Sequence, residues 1–220
     1  MKSGPNPPLT LLIDLDRTLY PPRAGLQEAG DHLLTAFVAR TVGLTLEEAH
    51  KLRRGLWAQY GTSARGLEVE YGIPQSVVYA HCIELLEPAD YVWPRPQVGE
   101  MLASLGCPAW ICTNSTELYA RRVLAALGLT ESFAGLITIE TMGWQAKPAP
   151  EAYAAALAHA GVAAAQAVFV DDAINNVQGA AAVGIQAVLC HPRPREPWTP
   201  HLRDILELPA CLQALSAAPV

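Results

Sequence analysis

Several functional classes leave marks that this chain lacks. No apolar run approaches the roughly 20 residues needed to cross a bilayer, so no membrane segment is expected. Lysine and arginine never stand more than two in a row and the net charge is −6, which argues against a nucleic-acid-binding surface. The five cysteines, Cys82, Cys107, Cys112, Cys190 and Cys211, form no C-x-x-C pair and are odd in number. Reduced, mostly buried thiols that serve packing are expected, rather than a disulfide framework. The six histidines show no metal-ligand spacing. The opening residues carry one lysine followed by Gly and Pro, and the first apolar run is cut by Asp14. That is not the pattern of a secretory signal, and a cytoplasmic protein is the expectation.

What is present is a chain of 220 residues, 51% hydrophobic and 16% charged, enough for one substantial core with a smaller lobe inserted. After a Pro- and Gly-rich start expected to fray (Met1–Pro8), Leu11-Leu12-Ile13 reads as a strand buried on both faces. It runs into Asp14-Leu15-Asp16-Arg17-Thr18. In extended backbone, residues two apart point the same way, so Asp14 and Asp16 address one small volume. Two buried carboxylates repel each other and are costly to desolvate, so a cation or a lysine must sit beside them.

From Pro21 to Val92 the apolar spacing is helical throughout. Expected helices cover Leu26–Val38, a stretch opened by the capping box Thr45-x-x-Glu48, a short piece ending at Tyr71, and Pro74–Leu86. Leu46, Ala49, Leu52, Leu56 and Trp57 are assigned to one apolar face of the second helix. Trp57, Trp93 and Trp144 are expected in the core or at a domain interface.

Beyond Trp93 helices and short apolar strands alternate. Strands are expected at Ala109–Cys112, Gly135–Ile139, Ala167–Val170 and Gln186–Leu189. Between them come helices at Gln97–Leu105, Thr116–Leu127, Pro148–Ala160 and Asn175–Val183. A Pro-rich loop, His191–Pro200, leads to a closing helix over Leu202–Leu215. This pattern predicts an α/β fold: a Rossmann-like, three-layer parallel sheet with an inserted all-helical cap. The core then takes residues 1–20 and 93–220, and the cap residues 21–92.

Ligands in such sheets bind at the carboxyl ends of the strands. Four polar segments fall there: Asp14 to Thr18, then Thr113-Asn114-Ser115, then Lys147-Pro148, then Asp171-Asp172 with Asn175 and Asn176 beyond. Taken singly, each has a plainer role as a helix cap, a surface lysine or an acidic helix start. Their joint order is what points to chemistry. A carboxylate can take a phosphoryl group that water then removes, splitting a difficult step in two. Asp14 suits that nucleophile. Asp16 suits a general acid for the leaving oxygen and then a base for the water. Mg²⁺ is the expected cation, because carboxylates with a substrate phosphate are its usual surroundings, and Asp14 and Asp172 are the best side-chain ligands. Lys147 offsets the crowded negative charge, and Thr113 with the amide groups near Asn114 would hold the phosphate.

This set of segments resembles the haloacid-dehalogenase-like hydrolase superfamily, whose first segment reads D-x-D-x-T and whose others are a Ser or Thr ending a strand, a Lys and an acidic pair. The resemblance spans nearly the whole chain. It implies the backbone carbonyl of Asp16 as a third metal ligand and Asp171 as a ligand or the support of one. Asn176 stands where many relatives carry another acidic residue. Within the superfamily, Asp14–Tyr20 followed by Pro, the segments Tyr60–Leu67 and Glu70–Ile73, and Val170-Asp171-Asp172 are similar to the pyrimidine 5′-nucleotidase group.

A pyrimidine nucleoside 5′-monophosphate is therefore the expected substrate and partner, with no nucleic acid and no membrane; the sequence leaves the oligomeric state open. The resemblance also implies that a loop between cap helices faces the site. Gly61–Arg65 is the candidate, with Thr62 and Arg65 contacting a nucleoside and Tyr20 stacking on a base. Their plainer roles are a helix cap, a surface ion pair and hinge packing. A sugar-phosphate phosphatase or a phosphomutase fits the same core. Dehalogenation is disfavoured because it leaves no alkoxide for Asp16 to protonate. A non-catalytic phosphoacceptor is disfavoured by motif order and by the helical insert.

Overall fold

A computed structural model describes residues 9–217, so the expected fraying of Met1–Pro8 lies outside the described residues. Six parallel strands form one sheet: β1 (Thr10–Ile13), β2 (Ala109–Cys112), β3 (Gly135–Ile137), β4 (Ala167–Asp171), β5 (Gln186–Cys190) and β6 (His201–Leu202). Their spatial order is β3-β2-β1-β4-β5-β6, with β1 central, paired to β2 through Leu12↔Trp110 and to β4 through Ile13↔Val170. The chain winds outward on one side of β1 and then returns to wind outward on the other. The crevice where a ligand sits in such sheets therefore opens between β1 and β4.

β1 alternates Leu11 and Ile13 into one apolar cluster and Leu12 into the other, all three fully buried. That is why its sequence is continuously apolar rather than alternating.

Between β1 and β2, residues 21–92 contain helices and no strand: α1 (Leu26–Val42), α2 (Leu46–Tyr60), α3 (Ser63–Tyr71) and α4 (Gln75–His81), followed by short 3₁₀ turns. The capping box forms as read: the Glu48 amide donates to the Thr45 hydroxyl at 3.3 Å, and the Thr45 amide donates to the Glu48 carboxylate at 2.9 Å. In the sheet layers, α5 (Pro96–Leu105), α6 (Glu117–Leu127), α7 (Pro150–Ala160) and α8 (Ile174–Ala182) alternate with the strands, and α9 (Leu208–Ala217) closes the described chain. Among the described residues no helix is long and apolar enough to cross a membrane. All five cysteines are free, three of them buried.

Several expectations are corrected. The helix from Pro74 stops at His81 because Cys82 leaves the helical region (φ −131°, ψ −75°), and Ile83–Leu85 continues as a 3₁₀ turn. β3 ends at Ile137, since Thr138 starts a turn in which its carbonyl accepts the Met142 amide. The expected closing helix begins only at Leu208. His201–Leu202 instead joins the sheet as an edge strand, with the His191 amide donating to the Leu202 carbonyl at 2.9 Å.

The apolar face assigned to α2 is also displaced. Ala49, Arg53 and Leu56 are buried, whereas Leu46 and Trp57 are more than half exposed. Arg53 occupies the core-facing stripe because its guanidinium pairs with Asp31 on α1 at 2.8 Å and its carbonyl accepts the Ser63 hydroxyl. Trp93 is likewise 55% exposed, while Trp144 is half-buried and packs on Tyr79 at 6.1 Å between ring centres.

Candidate active site

The centre is built from the ends of three adjacent strands. Asp14 directly follows β1, and its amide donates to the Val170 carbonyl at 2.8 Å, which aligns it with Asp171 at the end of β4. Asp14, Asp171 and Asp172 each present a carboxylate oxygen within 4.8 Å of the others.

Between Asp14 and Asp171 lies the Lys147 ammonium, 1% exposed, donating to Asp14 Oδ1 and Asp171 Oδ2 at 2.8 Å each and to the Cys112 carbonyl at 2.6 Å. All three donor hydrogens of an ammonium are thereby used. Burial alone would push Lys147 down, but Asp14 and Asp171 outweigh it and hold the ammonium above the ordinary lysine range. Burial pushes Asp14 up, with Lys147 opposing and Asp171, Asp172 and Asp16 adding to the rise. Asp172, 14% exposed at its side chain, is pushed up to about 7 by burial and then by Asp171, against the pull of Arg17.

Around this centre four carboxylates (Asp14, Asp16, Asp171, Asp172) face two cations, Lys147 and Arg17, a shortfall of two positive charges. Hard oxygen donors with that deficit fit a divalent cation such as Mg²⁺.

Asp171 has little left to offer a metal. Beyond Lys147 it accepts the Ala173 amide at 2.8 Å, and both its oxygens accept the Asn176 amide at 3.0 Å. Asn176 thus acts as a donor that fixes Asp171. Arg17 sits in the left-handed region (φ 63°), uncommon for any residue other than glycine. Its Nε lies 3.2 Å from Asp172, and its terminal nitrogens reach Gln27 on α1 and His191 after β5.

The loop after β2 supplies the next layer. Thr113, 1% exposed, accepts the Ser115 amide at 3.1 Å. The Asn114 side chain is not free to hold a phosphate. It brackets the backbone of Lys147, accepting its N–H at 2.8 Å and donating to its carbonyl at 2.9 Å. Asn114 therefore positions the lysine, and only the backbone amides near it remain as phosphate donors. Thr18 donates to Asp14 Oδ2 at 3.2 Å and ties the loop to that carboxylate.

Asp16 faces three hydroxyls: Tyr20 at 2.6 Å and Tyr119 at 2.9 Å on Oδ1, and Ser115 at 3.0 Å on Oδ2. Burial and then Asp16 push both tyrosines up, so they keep their protons and donate. Tyr20 is 2% exposed. It is buried beneath Asp16 rather than offered to a base, which corrects the expected stacking role.

The residues expected to contact a nucleoside have partners of their own within the inserted helices. Thr62 caps α3 by accepting the Arg65 amide at 3.0 Å, and the Arg65 guanidinium is spent on Glu68 at 2.6 Å. Their neighbour Gly61 does lie over the site: a methyl group on its Cα would stand 3.9 Å from the Lys147 carbonyl oxygen. The inserted helices also touch the core through Tyr79, which donates to the Asn114 carbonyl at 2.9 Å, and Gln75, whose side chain reaches the Trp144 carbonyl at 3.4 Å.

Reading single segments included Ser115 and Arg17 without giving either a role, and missed Tyr119 and Tyr79. For Ser115 and Tyr119 a signal existed: both follow closely on the end of β2, where ligands of such sheets bind.

Sheet order and strand-end carboxylates thus define a doubly wound α/β protein with an acidic, lysine-bridged centre at its switch point. A family model described as haloacid dehalogenase-like hydrolase matches residues 9–184, and the chain belongs to that family. Over 192 residues it is 28% identical to phosphate metabolism protein 8 of Saccharomyces cerevisiae, covering 80% of this chain and 60% of that protein. The chain therefore spans three fifths of the yeast relative's length. It is 30% identical over 198 residues to phosphoglycolate phosphatase of Rhodospirillum rubrum, covering 83% of this chain and 79% of that one. Among solved structures, CbbY from Rhodobacter sphaeroides in complex with phosphate superposes with a TM-score of 0.69 at 17% identity, covering 94% of this chain and 99% of that one. At that identity the likeness shows the fold.

Proposed function

We propose that the protein hydrolyses phosphate monoesters through an aspartyl-phosphate at Asp14, with residues 21–92 acting as a cap domain over the site. The observation that carries this reading is the buried Lys147 bridging Asp14 and Asp171 beside Asp172. A carboxylate held by an ammonium in a dry site is oriented to attack, and the same positive charge stabilises the oxygens of the transferring phosphoryl group.

In the first step an Asp14 carboxylate oxygen forms a bond to phosphorus while the ester P–O bond breaks. The electron pair stays on the leaving oxygen, which takes a proton from Asp16. In the second step a water oxygen bonds to phosphorus, the acyl-phosphate P–O bond breaks, and the water proton returns to Asp16. Asp14 is regenerated and inorganic phosphate leaves. Asp14, Asp172 and the Asp16 carbonyl would hold Mg²⁺, which when bound offsets phosphate charge. Asp171 orients Lys147. Thr113 and the amides beside Asn114 hold the phosphate oxygens.

The motifs around Asp14–Tyr20 and Tyr60–Ile73 support a pyrimidine nucleoside 5′-monophosphate as substrate. A second reading, a small carboxylated ester, is favoured by the similarity to a protein named phosphoglycolate phosphatase. Inorganic phosphate release from a panel of nucleotides, sugar phosphates and phosphoglycolate, with Mg²⁺ and with EDTA, tests both. Preferred turnover of UMP or CMP supports the first, and preferred turnover of phosphoglycolate the second. Turnover unaffected by EDTA refutes the metal role, and no turnover on any ester refutes the phosphatase reading.

A further inference from the structure

We infer that Tyr20, Tyr119 and Ser115 form a hydroxyl cradle that fixes which oxygen of Asp16 carries the travelling proton and eases its release to poor leaving groups. The inference rests on the role proposed above for Asp16. A carboxylate offers about four acceptor positions, two on each oxygen. Tyr20 and Tyr119 fill both on Oδ1, at 2.6 and 2.9 Å, and Ser115 fills one on Oδ2 at 3.0 Å. One position remains, on Oδ2, and only there can a proton be carried without giving up one of the three contacts.

Both tyrosines are nearly fully buried, Tyr20 at 2% and Tyr119 at 3% exposure, so neither is free to turn to solvent. The three donors come from separate places: the loop after β1, the loop after β2, and α6. The cradle therefore also ties Asp16 to the backbone that follows β1 and to the backbone that follows β2. When the acid on Oδ2 gives up its proton, Oδ1 changes from carbonyl-like to carboxylate, and its two tyrosine hydrogen bonds strengthen. That gain appears only as the leaving oxygen is protonated. It therefore helps esters whose leaving alkoxide needs a proton far more than aryl esters whose phenolate leaves unaided. Tyr20, Tyr119 and Ser115 are positioning residues, since they act through Asp16.

The test compares kcat/KM for p-nitrophenyl phosphate and for an alkyl ester such as glycerol phosphate, at saturating Mg²⁺, in Tyr119→Phe, Asp16→Asn and the double variant. A hydrogen bond to a charged acceptor, once lost, costs about a factor of ten or more. Tyr119→Phe is expected to lose about tenfold more on the alkyl ester than on the aryl ester. Asp16→Asn should show a larger bias of the same sign, and adding Tyr119→Phe to it should bring no further bias. Equal losses on the two esters in Tyr119→Phe, with the bias intact in Asp16→Asn, overturn the cradle alone. Equal losses in Asp16→Asn overturn the acid role, and the cradle with it. If Tyr119→Phe does not fold, Ser115→Ala removes the donor on Oδ2 and carries the same comparison. An unbiased loss there overturns the inference.

Discussion

Replacing Lys147 by Met keeps most of the side-chain volume and removes the charge. The ammonium is 1% exposed and makes three donor contacts, to Asp14, Asp171 and the Cys112 carbonyl, all at 2.8 Å or less. Its loss leaves two buried carboxylates facing each other without a counter-charge, and a backbone carbonyl unpaired. Removing one partner of a buried pair costs about 3–5 kcal/mol. In a domain of this size each kcal/mol lowers Tm by roughly 2–4 °C, so a fall of about 6–20 °C is expected. A divalent cation supplies charge at the same place, so Mg²⁺ should raise the Tm of Lys147→Met by more degrees than that of the wild type. Thermal unfolding followed by circular dichroism, with EDTA and with Mg²⁺, measures both effects. A Tm within about 2 °C of wild type in EDTA would mean that the bridge does not hold the centre together. An equal Mg²⁺ response in both proteins would mean that the cation does not share the site.

Three further predictions concern neighbouring chemistry and the sheet edge. Asp172 sits at about 7 without metal, so Mg²⁺ must displace a proton below that pH. The apparent Mg²⁺ affinity should fall up to about tenfold per pH unit below 7 and level off above it, and equal affinities by calorimetry at about pH 6 and pH 8 would contradict this. In EDTA the sign for stability is opposite. Between the ordinary carboxylate value of about 4 and about 7, the folded protein keeps a proton that the unfolded chain has released, so stability declines as pH rises through that window. At the sheet edge, Gly135 lies across from Trp110, and a Cβ there would stand 2.4 Å from the indole. Gly135→Ala should cost about 1–3 kcal/mol and disturb the edge-on packing of Trp110 against His159; an unchanged Tm and unchanged tryptophan fluorescence would refute the close fit.

How much was legible before the structure differed by residue. β1 and its two aspartates stood out because a strand buried on both faces is continuously apolar, and polar residues at its end break that run abruptly. Helix ends were readable where the chemistry is local, as in the Thr45–Glu48 box and in the helices expected to stop at Leu127 and Ala160, where the glycines that follow, Gly128 and Gly161, adopt the left-handed cap. The buried face of α2 was not, because Arg53 occupies a core-facing position satisfied by Asp31, 22 residues away. β6 was invisible for a different reason: two residues carry no periodicity, and pairing with β5 alone makes them a strand.

The site shows the same division. Asp14, Lys147, Asp171 and Asp172 were found by their order at strand ends. The uses made of Asn114, Tyr20 and Tyr119 depend on partners 33, 4 and 103 residues away, respectively, whose side-chain directions no linear spacing encodes. Tyr20 was the instructive case. It is close in sequence to Asp16, yet an aromatic at a hinge reads equally as a stacking surface, and only its burial shows which way it points.

The decisive measurement is to quench a phosphate ester turnover in acid, reduce any acyl phosphate with borohydride, and locate the product by mass spectrometry. An aspartyl phosphate reduces to homoserine, and the account predicts that residue at position 14 and at no other aspartate. Homoserine at position 16, or turnover with none at all, would contradict it.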